Sequence, residues 1–150
     1  MLEQQIEKAL AAYPADLEIQ LLAGNTWMEN KDNDRAMAVY RKALKQAPNH
    51  PDPYKAIADL HLAAKTNQGK VAAAKILDQG IRNVTNAIPL WKKKLEVVSG
   101  QPKQQIQILN TLIKLDSNRP RAEQDALFRM KLGAVYRDLD RTQEALAQFD

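Results

Sequence analysis

The chain has 150 residues, 45% of them hydrophobic and 27% charged, with a formal net charge of +4; that is enough apolar material to bury a core and fits one domain or one stretch of a repetitive array. Cysteine is absent, which excludes disulfides, thiolate metal sites and thiol nucleophiles. No apolar run approaches the roughly 18 residues of a membrane span, and the opening MLEQQIEKAL lacks the basic-then-apolar order of an export signal.

Apolar residues recur at three and four along almost the whole chain and the breaks carry Pro, Gly, Asn or Asp, so each element is predicted helical. In LEQQIEKALAAYP, Leu2, Ile6, Ala9, Leu10 and Tyr13 share a face. Pro14 ends that helix, because its ring cannot continue one and biases the preceding residue away from helical backbone. ADLEIQLLAGNTWMEN spaces Leu17, Leu21, Gly24 and Met28 for a second helix. DNDRAMAVYRKALKQAP predicts a third, capped by Asp32 or Asp34 and closed before Pro48. Tyr54, Ile57, Ala58 and His61 mark a fourth, and Ala73, Leu77, Gly80 and Ile81 a fifth, across a turn, KTNQGK, about three residues longer than the norm. From Pro89, Trp91, Leu95 and Val98 mark one helix; after a tight SGQP turn, Ile106, Leu109, Leu112 and Ile113 mark the next. DSNRPRAEQD then inserts about six residues before a last pair.

A fixed spacing links the two ends of this run. Gly24 precedes Trp27 by three, Ala36 by twelve and Tyr40 by sixteen, and Gly133 stands at the same distances from Tyr136, Ala145 and Phe149. The pattern resembles the tetratricopeptide repeat, a 34-residue helix-turn-helix unit. The resemblance implies an all-α, right-handed α-solenoid of tetratricopeptide-like repeats. In it Gly24 and Ala36 are the small residues where two helices touch, Trp27 and Tyr40 fill the space beside them, and Pro48 is the terminal proline. On that ruler a single domain over 1–150 divides into a partial repeat at 1–14 and repeats at about 17–50, 51–86, 87–119 and 120–150. Neither end carries a polar cap, which predicts a segment of a longer protein whose ends can pair with a second copy.

Catalytic constellations are missing from the pattern. His61 falls in the slot of Trp27 and Tyr136, a packing position, and His50 lies in a turn. Without HExxH or paired histidines, no metal ligand and no cofactor are predicted. Ser99 and Ser117 lie in turns outside any GxSxG elbow, and NQGK at 67–70 lacks the first glycine and the Ser or Thr of a phosphate loop. The expected protein is not an enzyme. Residues 79–122 carry eight Lys and Arg against Glu96 and Asp116, a mild basic zone that reads first as a solvated face. Nucleic-acid binding through Trp91 and Lys92, Lys93 and Lys94 is the rival. Helical spacing weakens it, turning Trp91 inward and fanning the lysines around the helix.

In the family this chain resembles, the first helix of each unit lines a concave side where a partner peptide or helix docks. The positions this implies are Leu21, Asn25 and Met28 on one unit and Lys55, Asp59 and Leu62 on the next. Lys92 and Glu96 follow, then Met130, Ala134 and Arg137. Asn25 is expected to hold a partner's backbone through its amide. The carboxylate clamp of co-chaperone members fits Lys55 and Lys131 but meets Asp59, Lys93 and Leu127 at its other slots, and Asp59 would repel a carboxylate. The expected function is a protein-interaction scaffold or adaptor that binds a protein or peptide partner. A repeat segment of a bacterial envelope or export-machinery protein is the second reading, and a nucleic-acid-binding helical repeat the third. A cytoplasmic setting is favoured, with the periplasm open if the chain belongs to a longer exported protein.

Overall fold

The structure, a computed structural model, describes residues 2–139 and 142–149. The side chains of residues 142, 143 and 145 lie outside the described set, and with them the Ala145 member of the spacing. The helices are α1 (Leu2–Ala12), α2 (Leu17–Glu29), α3 (Asn33–Gln46), α4 (Pro51–Ala63), α5 (Asn67–Asn83), α6 (Ile88–Val97), α7 (Pro102–Ser117), α8 (Leu127–Asp138) and α9 (Thr142–Phe149), with a 3-10 turn at Arg121–Glu123. Among the described residues there is no strand.

Side chains satisfy the free N–H groups at several helix starts, as polar residues placed just before a helix do. Asp16 accepts from the Ile19 N–H at 3.0 Å and Thr66 from the Gly69 N–H at 3.0 Å. Asp32, rather than Asp34, caps α3, accepting from the Arg35 N–H at 3.1 Å. His50 serves the same purpose on α4: its Nδ1 accepts from the Asp52 N–H at 3.2 Å. The 34-residue period also appears in the turns, where Lys31 (φ 62°) and Lys65 (φ 52°) both adopt left-handed backbone.

The chain divides into two compact units, residues 1–90 and 91–150. In the first, α2 packs along α3, α4 along α5, and α2 also meets α1 and α4. Ile6, Ala23, Trp27, Ala36, Val39, Tyr40, Ile57 and Leu60 form its core. Gly24 is where the Tyr40 ring of α3 lies against α2: a Cβ there would lie 2.6 Å from Tyr40 Cδ1, inside van der Waals contact. A second device repeats with the period. The Gln20 side-chain amide donates to the Pro14 carbonyl (2.7 Å) and to Gln46 Oε1 (2.5 Å). One period on, the Tyr54 hydroxyl donates to the Pro48 carbonyl (2.6 Å) and accepts from Asn83 Nδ2 (3.0 Å). Each clasp ties the start of a first helix to the turn before it and to the end of its partner helix.

In the second unit α8 packs along α9 and α7 against α8. Gly133 faces the Phe149 ring, with a Cβ placed 2.9 Å from Phe149 Cζ. The backbones of α6 and α7 do not come together as those of α2 and α3 do. Larger side chains stand at the contact slots. Leu95 and Gln105, ten apart across the shortened SGQP turn, occupy the slots that Gly24 and Ala36 hold twelve apart. A leucine and a glutamine keep two helix axes farther apart than a glycine and an alanine.

Candidate functional site

On the first unit the six expected partner-binding residues lie on the neighbouring helices α2 and α4. Leu21, Met28, Lys55, Asp59 and Leu62 are half-buried, and Asn25 is exposed. Tyr40 organises this face. Its ring is fully buried against Gly24, yet its hydroxyl reaches across and donates to Asn25 Oδ1 at 2.5 Å. Burial first, then the carboxylates of Asp59 and Glu29, push the Tyr40 pKa up to about 12. Asn25 is therefore not a freely turning amide: one of its ends is held by the fold, and its Nδ2 is the donor that remains. Met28 and Leu21 lean on the core cluster, which leaves part of each side chain as apolar floor.

The raised phenol pKa has a checkable consequence. Below about pH 10 Tyr40 is protonated whether folded or unfolded; between about 10 and 12 the unfolded chain releases a proton that the folded chain keeps. The contribution is complete below 10 and lost through that window. The denaturation midpoint should fall from pH 10 to 12 in the wild type and fall less in Tyr40→Phe, with both followed by circular dichroism.

On the second unit a cleft of about 380 Å³ is lined by residues of α6 and of the start of α8, with Gln105 of α7. Leu95, Leu127 and Phe128 supply apolar wall, Gln105 a carboxamide, and Lys92, Glu96 and Lys131 charge. The structure thus brings the expected Lys92 and Glu96 together at one site. Met130 (54% exposed) and Arg137 lie outside the cleft lining on α8, with the Arg137 guanidinium 5.9 Å from the centre of the Phe149 ring. In the sequence, Lys131 and Leu127 stand out only as a match and a mismatch to a clamp; Phe128 and Asp125 carry no periodic signal. The readable hint is the bulk of Leu95 and Gln105 at small-residue slots.

The inserted segment sets the mouth of this cleft, and Asp116 holds it. That carboxylate is 4% exposed. It accepts from Arg119 Nη1 at 3.0 Å and from the Asp125 N–H at 2.6 Å. Gln124 Nε2 adds a bond to the Arg119 carbonyl at 3.0 Å. Asp125, held in this way, accepts the Leu127 N–H at the start of α8 (2.9 Å) and pairs with Lys92 Nζ at 3.8 Å. Lys92 also stands over the Phe128 ring, 5.3 Å from its centre. A buried carboxylate is stable only when its lone pairs are met, and here meeting them fixes where α8 begins.

Half of the basic zone's eight cations, Lys92, Lys93, Lys94 and Arg119, are engaged by their own chain. Lys93, whose side chain is 16% exposed, pairs with Glu96 at 3.0 Å. Lys94 stacks 5.1 Å from the centre of the half-buried Trp91 ring. Arg119 pairs with Asp116 and with Glu123 at 3.5 Å. Trp91 is less enclosed than its spacing predicts, but the cation on its ring competes with a stacked base, so the arrangement weighs against the nucleic-acid reading. His61 is half-buried, and its pKa is lowered first by burial and then by Arg41, the behaviour of a packing residue. Among the described residues no three His, Cys, Asp or Glu are grouped so as to hold a metal ion, and no helix is long and apolar enough to cross a membrane.

Paired helices closing on small residues, with polar clasps recurring every 34 positions and an open face on their first helices, define an all-α helical-repeat protein. Residues 3–51 match the tetratricopeptide repeat family model, and the fold of the chain is that of tetratricopeptide repeat proteins. A crystal structure of MamA superposes with a TM-score of 0.70 at 19% identity, covering 98% of this chain and 82% of that one. TTC0263, a thermophilic tetratricopeptide repeat protein of Thermus thermophilus, gives 0.66 at 18% identity over 98% and 77%. YrrB, described as a tetratricopeptide repeat protein with an unusual peptide-binding site, gives 0.64 at 20% identity over 96% and 71%. Among curated proteins there is no match.

Proposed function

We propose that this chain is a non-enzymatic interaction scaffold or adaptor that binds a peptide or helix of a partner protein on the first helices of its repeats. The observation that carries the reading is the cleft lined by Leu95, Gln105, Leu127 and Phe128 in the second unit. It offers a partner side chain apolar wall from Leu95, Leu127 and Phe128, with Lys131 also in its lining. The acids beside it are engaged, Asp125 with Lys92 and Glu96 with Lys93, so the charge left for a partner is positive. The α2 and α4 face of the first unit adds a separate strip: Leu21, Met28 and Leu62 give adaptable apolar contact, Asn25 Nδ2 a donor for a backbone carbonyl, and Lys55 and Asp59 opposite charges. The fold likeness to YrrB supports peptide docking as the activity, and the residues that carry it here are this chain's own.

Peptide selection tests this without a natural partner in hand. Twelve-residue peptides selected from a random displayed library against the immobilised wild-type chain are measured against two double variants, Met28→Asp with Leu62→Asp and Leu127→Asp with Lys131→Glu. The selected peptides should lose at least tenfold in affinity for one variant or the other, while circular dichroism stays that of the wild type. Peptides that bind both variants as tightly as the wild type would remove these surfaces from the function.

A further inference from the structure

We infer that a small pocket beneath the inserted segment, beside but not within the cleft, receives the phosphoryl group of a phosphorylated side chain. The inference rests on the reading that the partner is a protein. The pocket has a volume of about 220 Å³ and is lined by Ile113, Asp116, Ser117, Arg121, Gln124 and Arg129, among others. Arg121 comes from the 3-10 turn of the insert and Arg129 from the first turns of α8. Unlike Arg119 and Lys92 nearby, neither of these guanidinium groups makes an ion pair or a side-chain hydrogen bond with the described residues. Both are exposed.

Two arginine side chains line this one small concavity. Each presents a planar fork of N–H donors that fits two oxygens at once, and two positive charges match a phosphate monoester dianion better than a single carboxylate. Two carboxylates also line the pocket, but each is turned to its own donors. Asp116 is bound by Arg119 and the Asp125 N–H, and Asp125 by the Leu127 N–H and Lys92. The same bonds hold the insert, so the arginine-bearing turn is placed before any ligand arrives. The volume of about 220 Å³ lies below the usual range for whole small-molecule sites, which favours a modified side chain over a nucleotide.

The test is a nuclear magnetic resonance titration of the 15N-labelled chain with O-phospho-L-serine, AMP and acetate at fixed ionic strength and pH 7.5. Phosphoserine should give saturable shifts at the Arg121 and Arg129 Nε–H groups and at the amides of 117–126, with acetate at least tenfold weaker. Arg121→Lys and Arg129→Lys keep the charge but lose the fork, and each should weaken phosphoserine at least tenfold with the spectrum otherwise intact. Shifts that do not saturate, an equal response to acetate, or indifference to both lysine variants would overturn the inference; so would AMP binding more tightly than phosphoserine. Selected unmodified peptides binding normally alongside any such failure would sink this pocket alone and leave the docking surfaces standing.

Discussion

Gly24→Val is expected to lower the free energy of unfolding by about 3 kcal/mol, the upper part of the range for forcing extra atoms into a packed core, read from guanidinium denaturation. The first added carbon falls on the Tyr40 ring, 2.6 Å from Cδ1 and 2.7 Å from Cζ. That ring has nowhere to go. It is fully buried among α2, α3 and α4, and its hydroxyl is tied to Asn25. Valine's branching adds a smaller penalty within a helix. Gly133→Val supplies the control at the matching slot of the second unit. There the clash is with Phe149, at 2.9 Å, and that ring is 47% exposed and able to swing aside. Its loss should stay near or below about 1 kcal/mol, since replacing a helical glycine recovers part of the cost through propensity. Equal losses at the two glycines, or none at Gly24, would show that close helix approach is not what the glycine provides.

That pair of glycines also shows what is legible in the sequence. Gly24 and Tyr40, and Gly133 and Phe149, are readable as contacts because the same residue types recur at sixteen positions' spacing, and periodicity reports which residues share a face. Period alone does not report which polar atoms meet across helices. Tyr40 reads as a space filler, and only the fold shows its hydroxyl holding Asn25. The Gln20 and Tyr54 clasps escape notice although Pro14 and Pro48 stand 34 apart, because Gln and Tyr share no pattern class even where they make the same bond to a proline carbonyl. The cleft is hidden for the opposite reason. It exists where Leu95 and Gln105 break the small-residue rule, and a broken rule reads as degeneracy until the resulting gap has walls. Charge misleads in a similar way: a count of lysines along 79–122 cannot show that Lys93 and Arg119 meet acids three residues away on their own chain.

Asp116→Ala should have the second large effect and a more local one. Removing that carboxylate leaves the Asp125 N–H and the Arg119 guanidinium without their acceptor. Hydrogen bonds to a charged group are worth about 1.5–3 kcal/mol each, and Arg119 keeps Glu123 and water, so a net loss of about 2–3 kcal/mol is expected. The more telling readout is where the loss falls. With Asp125 released, its bonds to Leu127 and Lys92 lose their anchor, so hydrogen exchange should quicken at 119–128 while α2 to α5 keep their protection. Peptide binding at the cleft should weaken with it. Asp125→Ala separates the two layers, deleting the cap and the exposed ion pair but sparing the Asp116 bond to the backbone. It should cost about 1 kcal/mol and leave exchange at 119–124 slow. If Asp116→Ala left exchange in the insert unchanged, the segment would have to be held by Gln124 and the 3-10 turn alone. The start of α8 would then be set by the chain's own turn geometry instead of by a buried charge.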